Sequence, residues 1–243
     1  GPAERDAVLS SVSRFIAAGP AVRAMLVDRW GIAEDLVVTV DEFIDPPQLA
    51  RARPGAVGTT ATTPLIVAAG AVGPRKGTDF FVAVMAALLD DPARPAGLWV
   101  GGDPSHPSWV EADHDISAAG LSDRVRLVPT VPNATSYLEA ADLVLPTARE
   151  DPFPLVVLEA AATGTTVAGF ASGGVAAMMA EAGLDGSLVP VGDVIALADL
   201  ASSLCASPSG RDRRGRQMSE RVHSTHLTAH LAPRLWDAIV EVA

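Results

Sequence analysis

The sequence predicts an α/β fold in which a parallel sheet is covered by helices on both faces. Three observations point there. From residue 64 onward, short apolar runs closed by glycine or proline alternate with helical stretches of about 10 to 15 residues. Those runs are continuously apolar, as strands buried on both faces must be, rather than alternating. Hydrophobic residues make up 49% of the chain but aromatics only 5%, so Ala, Gly, Val and Leu fill the interior and helices can pack closely on a sheet.

In chain order, PLIVAAG (64–70) reads as a strand and KGTDFFVAVMAALLD (76–90) as a helix, with Phe80, Phe81, Val84, Leu88 and Leu89 at helical spacing. GLWVGGD (97–103), RVRLVP (124–129), DLVLPT (142–147), TTVAGF (165–170) and SLVPVG (187–192) read as strands. Between them, 108–120, 136–141, the stretch after Pro154, about 175–182 and 194–206 read as helices. Residues 14–19, 20–31 and 36–40 read as a separate strand–helix–strand unit, and the Pro-, Gly- and Thr-rich segment before residue 64 reads as a linker. In such sheets ligands sit at the carboxyl ends of the strands.

The 243 residues allow one large domain, or one domain plus a fragment. The opening Gly-Pro without an initial Met is expected of a piece cut from a longer protein. A net charge of −11 argues against a nucleic-acid or anionic-membrane surface. No apolar run approaches a membrane span, and charges stand where a secretory leader would be apolar, so a cytoplasmic protein is expected, with peripheral membrane attachment open to a longer parent. Cys205, the only cysteine, reads as a small buried hydrophobe.

Several familiar motifs are missing. GPRKGT has its lysine before the glycine, the reverse of a phosphate loop, and Gly70, Gly73 and Gly77 have the wrong spacing for a dinucleotide fingerprint. Asp113-His114-Asp115 reads as a solvated helix face. His223, His226 and His230 read as one polar helix face, and RDRRGRQ (211–217) as a solvated loop and helix start. No metal and no cofactor is expected.

The stretch REDPFPLVVLEA (149–160) carries chemistry. Pro154 fits the first turn of a helix. Leu155, Val156 and Val157 then offer free N–H groups at the positive end of the helix dipole, a site for phosphate. Asp151 stands before the helix, and Glu159 lies roughly 7 Å further along it. Carboxylates cannot hold phosphate, but they accept hydrogen bonds from hydroxyls on either flank of a diphosphate. A nucleotide sugar has that shape. Alternatively, Asp151 caps the helix and Glu159 pairs with a base. Arg75 and Lys76, after the first strand of the full domain, are the candidate cations.

Together these pieces resemble the donor-binding domain of family 4 retaining glycosyltransferases, which form the C-terminal, Rossmann-like half of a GT-B fold. That family carries Glu, seven residues, then Glu. Here Asp151 and Glu159 take those places, and KGTDFF, AADLVLPT and FASGG match in order and spacing. The resemblance implies a remnant of an N-terminal acceptor domain at 1–50, a linker at 51–63 and a donor domain at 64–243. It implies that Glu159 binds ribose hydroxyls and that Asp151 contacts the donor hexose or steadies the transferring centre. The amides of Leu155 and Val156 would hold the diphosphate, flanked by Phe153 and Pro154, and Lys76, with Arg75, would neutralise it as it leaves. Gly73, Gly173 and Gly174 would lie in loops of the site. The implied partner is a UDP- or GDP-sugar, without metal, and the acceptor would be held by the absent N-terminal domain. Three positions depart from the family: Ala71 replaces an arginine, Ala177 a glutamate and Pro154 a glycine. Two other readings are a non-catalytic nucleotide-sugar-binding module and an epimerase, for which only His106 and His114 lie nearby as acid–base groups.

Overall fold

The computed structural model describes residues 2–47 and 62–240. Its centre is a parallel sheet. Strands β3 (Leu65–Ala69), β4 (Ala96–Val100), β5 (Val125–Val128) and β6 (Leu143–Val144) lie in the order β5-β4-β3-β6. β7 (Gly169–Phe170) pairs with β8 (Leu188–Val189), and a parallel bridge between Val144 and Val167 joins this pair to β6. The Val144 N–H donates to the Thr166 carbonyl at 2.9 Å, and the Ala168 N–H donates to the Val144 carbonyl at 3.1 Å. The six strands thus run β5-β4-β3-β6-β7-β8.

Period-two strand geometry sends alternate side chains to opposite faces. Ile66, Ala68 and Trp99 pack with Phe81, Val84 and Met85 of α3 (Thr78–Ala87), Ile116 of α4 (Pro107–Ala118) and Leu197 and Leu204 of α8 (Val194–Cys205). Leu65, Val67, Leu98 and Val100 pack on the other face. There they meet Leu138 of α5 (Thr135–Ala140), Leu158 of α6 (Leu155–Ala162), Met179 of α7 (Gly174–Glu181) and Val222 of α9 (Pro208–Thr225). Both faces are covered, as the apolar strands require.

The first unit comprises α1 (Pro2–Ser11), the parallel pair β1 (Phe15–Ala17) and β2 (Val37–Thr39), and between them α2 (Pro20–Ala24), which continues into one π turn at Met25–Arg29. The last helix, α10 (Thr228–Val240), returns to this unit: Leu231 and Ala238 pack on Val40. The Ile44 N–H donates to the His226 carbonyl at 3.0 Å, and the Thr228 N–H donates to the Ile44 carbonyl at 2.9 Å. Of the expected linker, residues 51–61 lie outside the described residues.

Two expectations are corrected. RDRRGRQ, expected as a loop and helix start, lies wholly inside α9. Its Arg211 donates to the carbonyls of Leu204 and Cys205, both at 2.7 Å, which closes the end of α8, and it pairs with Asp142 at 2.9 Å. The three histidines do not share one helix. His223 is on α9, His226 ends it and is buried, and His230 is on α10. As expected, Cys205 is buried, and desolvation pushes its thiol up to about 12.

Candidate functional site

A cavity of about 760 Å³ opens at the carboxyl ends of β3, β4 and β5. Its floor is Ala69, Gly70, Val100 and Gly101, and its side wall is the mouth of α6. Of the residues singled out in the sequence, Arg75, Lys76, Asp151, Phe153, Leu155, Val156 and Glu159 all line it. Pro154, Gly73, Gly173 and Gly174 do not.

The entry to α6 is stiff because two prolines restrict the residues before them, Asp151 and Phe153. Pro154 stands at the N-cap with φ −80° and ψ 106° and brings no N–H. The Val157 N–H is already taken by the Pro154 carbonyl at 3.0 Å. Among the described residues, that leaves the N–H groups of Leu155 and Val156 without an acceptor, two free amides rather than three. Glu159 follows Leu155 by four positions and Val156 by three, so the helix turn sets all three on the cleft side. The rest of the helix, Val157, Leu158 and Ala160 to Ala162, faces the core. No cation pairs with Glu159 among the described residues, and burial raises its carboxyl above the ordinary range. Nor does Asp151 cap the helix. It is 8% exposed and accepts from the Lys76 ammonium at 2.6 Å.

The loops before α3 and α6 are laced together. The Arg149 N–H donates to the Arg75 carbonyl at 3.0 Å, and the Thr147 hydroxyl donates to the Gly77 carbonyl at 2.8 Å. The Arg149 guanidinium donates to the Pro74 carbonyl at 2.6 Å, grips both oxygens of Asp79 at 2.7 and 2.6 Å, and lies 3.7 Å over the Phe80 ring. Gly77 has φ +74°, and a Cβ there would stand 1.9 Å from the Thr147 carbonyl oxygen. Only glycine allows this crossing. Gly173 plays the same part across the site: at φ +50°, its Cβ would stand 1.8 Å from the Asp151 carbonyl oxygen. The Gly174 N–H donates to that oxygen at 3.3 Å. These two glycines therefore sit behind Asp151. Gly73 lies towards Ser108, its N–H held by the Thr78 hydroxyl at 3.1 Å.

Sequence reasoning missed several wall residues: Glu42, Asp103, Thr130, Val131 and Ala134. Asp103 follows the glycines that end β4, and Thr130 follows β5, so strand-end position alone could have found both. Glu42 comes from the first unit and had no local signal. The wall therefore carries four carboxylates, Glu42, Asp103, Asp151 and Glu159, and two cations, Arg75 and Lys76. The departure Ala71 is exposed in this wall. No cluster suited to a metal ion occurs among the described residues. His106 caps α4, its ring accepting from the Ser108 N–H, and His114 is exposed on the same helix. No described helix is long and apolar enough to cross a membrane.

A chain with this fold and site is similar to known sugar transferases. The D-inositol 3-phosphate glycosyltransferase of Frankia alni is 32% identical over 222 residues, covering 85% of this chain and 53% of that protein. That of Nocardia farcinica is 30% identical over 242 residues, covering 94% and 51%. The chain thus spans about half the length of the curated relatives it matches. Among solved GT-B structures, sucrose-phosphate synthase from Thermosynechococcus elongatus superposes with a TM-score of 0.80 at 26% identity, over 97% of this chain and 60% of that one. Anabaena Alr3699/HepE, solved with UDP and glucose, superposes with a TM-score of 0.80 at 18% identity, over 94% and 63%, a likeness of fold. The profile of the family described as glycosyl transferases group 1 matches residues 63–207, and the chain belongs to that family.

Proposed function

We propose that this chain is the donor-binding half of a retaining glycosyltransferase, which moves a sugar from a nucleoside-diphosphate sugar to an acceptor hydroxyl. One observation carries the reading: two free helix amides, two cations and the carboxylates Asp151 and Glu159 line a single cavity at the strand ends. Glu159, about a turn inside α6, takes the ribose hydroxyls. The amides of Leu155 and Val156, with Lys76 and Arg75, take the diphosphate. Asp151 takes hydroxyls of the transferred sugar. As the glycosidic bond to the diphosphate breaks, the sugar gains oxocarbenium character and the leaving group gathers negative charge. Fixed N–H dipoles and an ammonium stabilise that charge without reorganising, so the reading takes no metal.

Residues 1–50 are read as the remnant of an acceptor domain and 64–243 as the donor domain. The acceptor site belongs to the part of the relatives' length that this chain does not span, so the isolated chain binds donor without turnover. UDP is the first candidate nucleotide, because HepE was solved with it; GDP is the second. The reading places the parent in the cytoplasm, with peripheral membrane contact.

The test is a calorimetric and thermal-shift titration with UDP, GDP, TDP and ADP. One of them should bind, and ligand at 100 times its Kd should add about 2.7 kcal/mol, raising Tm by roughly 5–10 °C. Glu159→Ala should abolish that shift. If none of the four binds, the reading fails. Transfer by the isolated chain would overturn the claim of no turnover. Ala71 in the cleft wall favours a second reading, a nucleotide-sugar-binding module without catalysis. Sugar transfer by the full-length parent would exclude it.

A further inference from the structure

Lys76 and Asp151 satisfy each other in the cleft. The ammonium lies 2.6 Å from Oδ2, with the lysine side chain 22% exposed and the aspartate 10%. In the donor-site reading, on which this inference rests, each has a different ligand group to serve: phosphate for Lys76, sugar hydroxyls for Asp151. A diphosphate that draws the ammonium away strips a nearly buried carboxylate of its cation. That carboxylate cannot retreat easily. Its backbone carbonyl is held by the Gly174 N–H and lies against Gly173, and Pro152 stiffens the next peptide. Lys76, with a flexible four-carbon stem lying over Gly70, is the partner that can move.

We propose that Asp151 competes with the diphosphate for Lys76, and that the Lys76–Asp151 pair thereby makes the cleft discriminate intact nucleoside-diphosphate sugar from free nucleoside diphosphate. The intact donor repartners both groups at once, its phosphate taking the ammonium and its sugar hydroxyls donating to the carboxylate. The spent diphosphate repartners only one. It must leave Asp151 bare or forgo Lys76, and in either case it binds less tightly. The pair thus favours loading of donor and release of product from one site, and it does so through the ligand's own hydroxyls.

The experiment is calorimetry of UDP and UDP-glucose, and of GDP and GDP-glucose, on the wild-type chain, Asp151→Asn, Asp151→Ser, and both substitutions combined with Lys76→Met. Asp151→Ser serves if the Asn variant does not fold. Removing the carboxylate should tighten the free diphosphate about tenfold, the worth of one charge-assisted hydrogen bond, and should shrink the preference for the sugar conjugate. In the Lys76→Met background the gain should vanish. Unchanged or weaker diphosphate binding by both Asp151 variants overturns the proposal. So does an equal gain in the Lys76→Met background, which would assign the effect to general loss of negative charge. If no chain binds either diphosphate, the donor-site reading itself falls and the inference falls with it.

Discussion

Replacing Arg149 by alanine tests whether the lacing of the two cleft loops sets the site. Its guanidinium makes three kinds of contact. The fork on Asp79 joins side chains that are 36% and 48% exposed, so solvent screening holds it to about 0.2–1 kcal/mol. The stacking over Phe80 adds about 0.5–1 kcal/mol at such exposure. The bond to the Pro74 carbonyl adds about 1 kcal/mol. Discounting the side-chain entropy regained, the loss should be about 1–2 kcal/mol. For a domain of this size that lowers Tm by roughly 3–6 °C. The backbone bond to Arg75 survives, so the loop should loosen rather than detach, and nucleotide affinity should fall several-fold. Arg149→Lys restores the cation but not the planar fork and should recover only part of the loss. The pair also has a pH signature. The side-chain bond to Arg149 is the main force holding the Asp79 carboxyl below its ordinary range. Its contribution is therefore complete above the unfolded carboxylate pKa and is lost as pH falls through the lower folded value. Paired melts at neutral pH and near pH 3 should thus differ by less at the acid end. A Tm for Arg149→Ala within a degree of wild type at neutral pH refutes the brace.

Glu159→Gln should raise stability at neutral pH while weakening nucleotide binding. Burial raises this carboxyl, so the folded state disfavours its charged form, and stability falls as pH rises through the folded pKa. Melts from pH 4 to 8 should show the variant gaining on wild type towards the alkaline end, and parallel curves would count against it. Trp99→Phe removes the indole N–H that donates to the Gly70 carbonyl at 3.0 Å. It should cost about 1–3 kcal/mol in a urea titration, with weaker ligand binding because Gly70 floors the cleft. Ala71→Arg, in the exposed wall position, should tighten the bound nucleoside diphosphate by about tenfold in calorimetry, and the gain should shrink in high salt.

Most of the sheet was legible because its strands are continuous apolar runs, and the lower half of α6 because prolines, carboxylates and free amides meet within one stretch. The shortfalls have particular causes. Residues 142–147 read as a strand, but only Leu143 and Val144 are one. Beyond them Pro146 has no N–H to give, and Gly169 passes so close that its Cβ would stand 2.5 Å from the Pro146 carbonyl oxygen. RDRRGRQ read as a loop and helix start because a glycine among arginines is a local loop signal. Gly215 is in fact required by a distant neighbour: its Cβ would stand 1.9 Å from the Gly164 carbonyl oxygen, where α9 crosses α6. His226 read as part of a polar helix face because nothing in its own helix shows that its ring will lie 5.8 Å from that of Phe153. Glu42 was invisible for the same reason. It reaches the cleft only through the placement of the first unit.

The return of α10 to β2 bears on how the chain is made. The Thr228 hydroxyl finds the Asp45 carboxylate at 2.7 Å across a separation of 183 residues, and Val40 waits for Leu231 and Ala238. At ribosomal rates of about 5–20 residues per second, roughly 10–40 s pass between synthesis of the two partners. Most of the sheet is made within that interval, although its second face closes only when Val222 of α9 arrives, and the first unit keeps a bare apolar flank until α10 emerges. During translation, this flank is where a chaperone has the longest opportunity to bind.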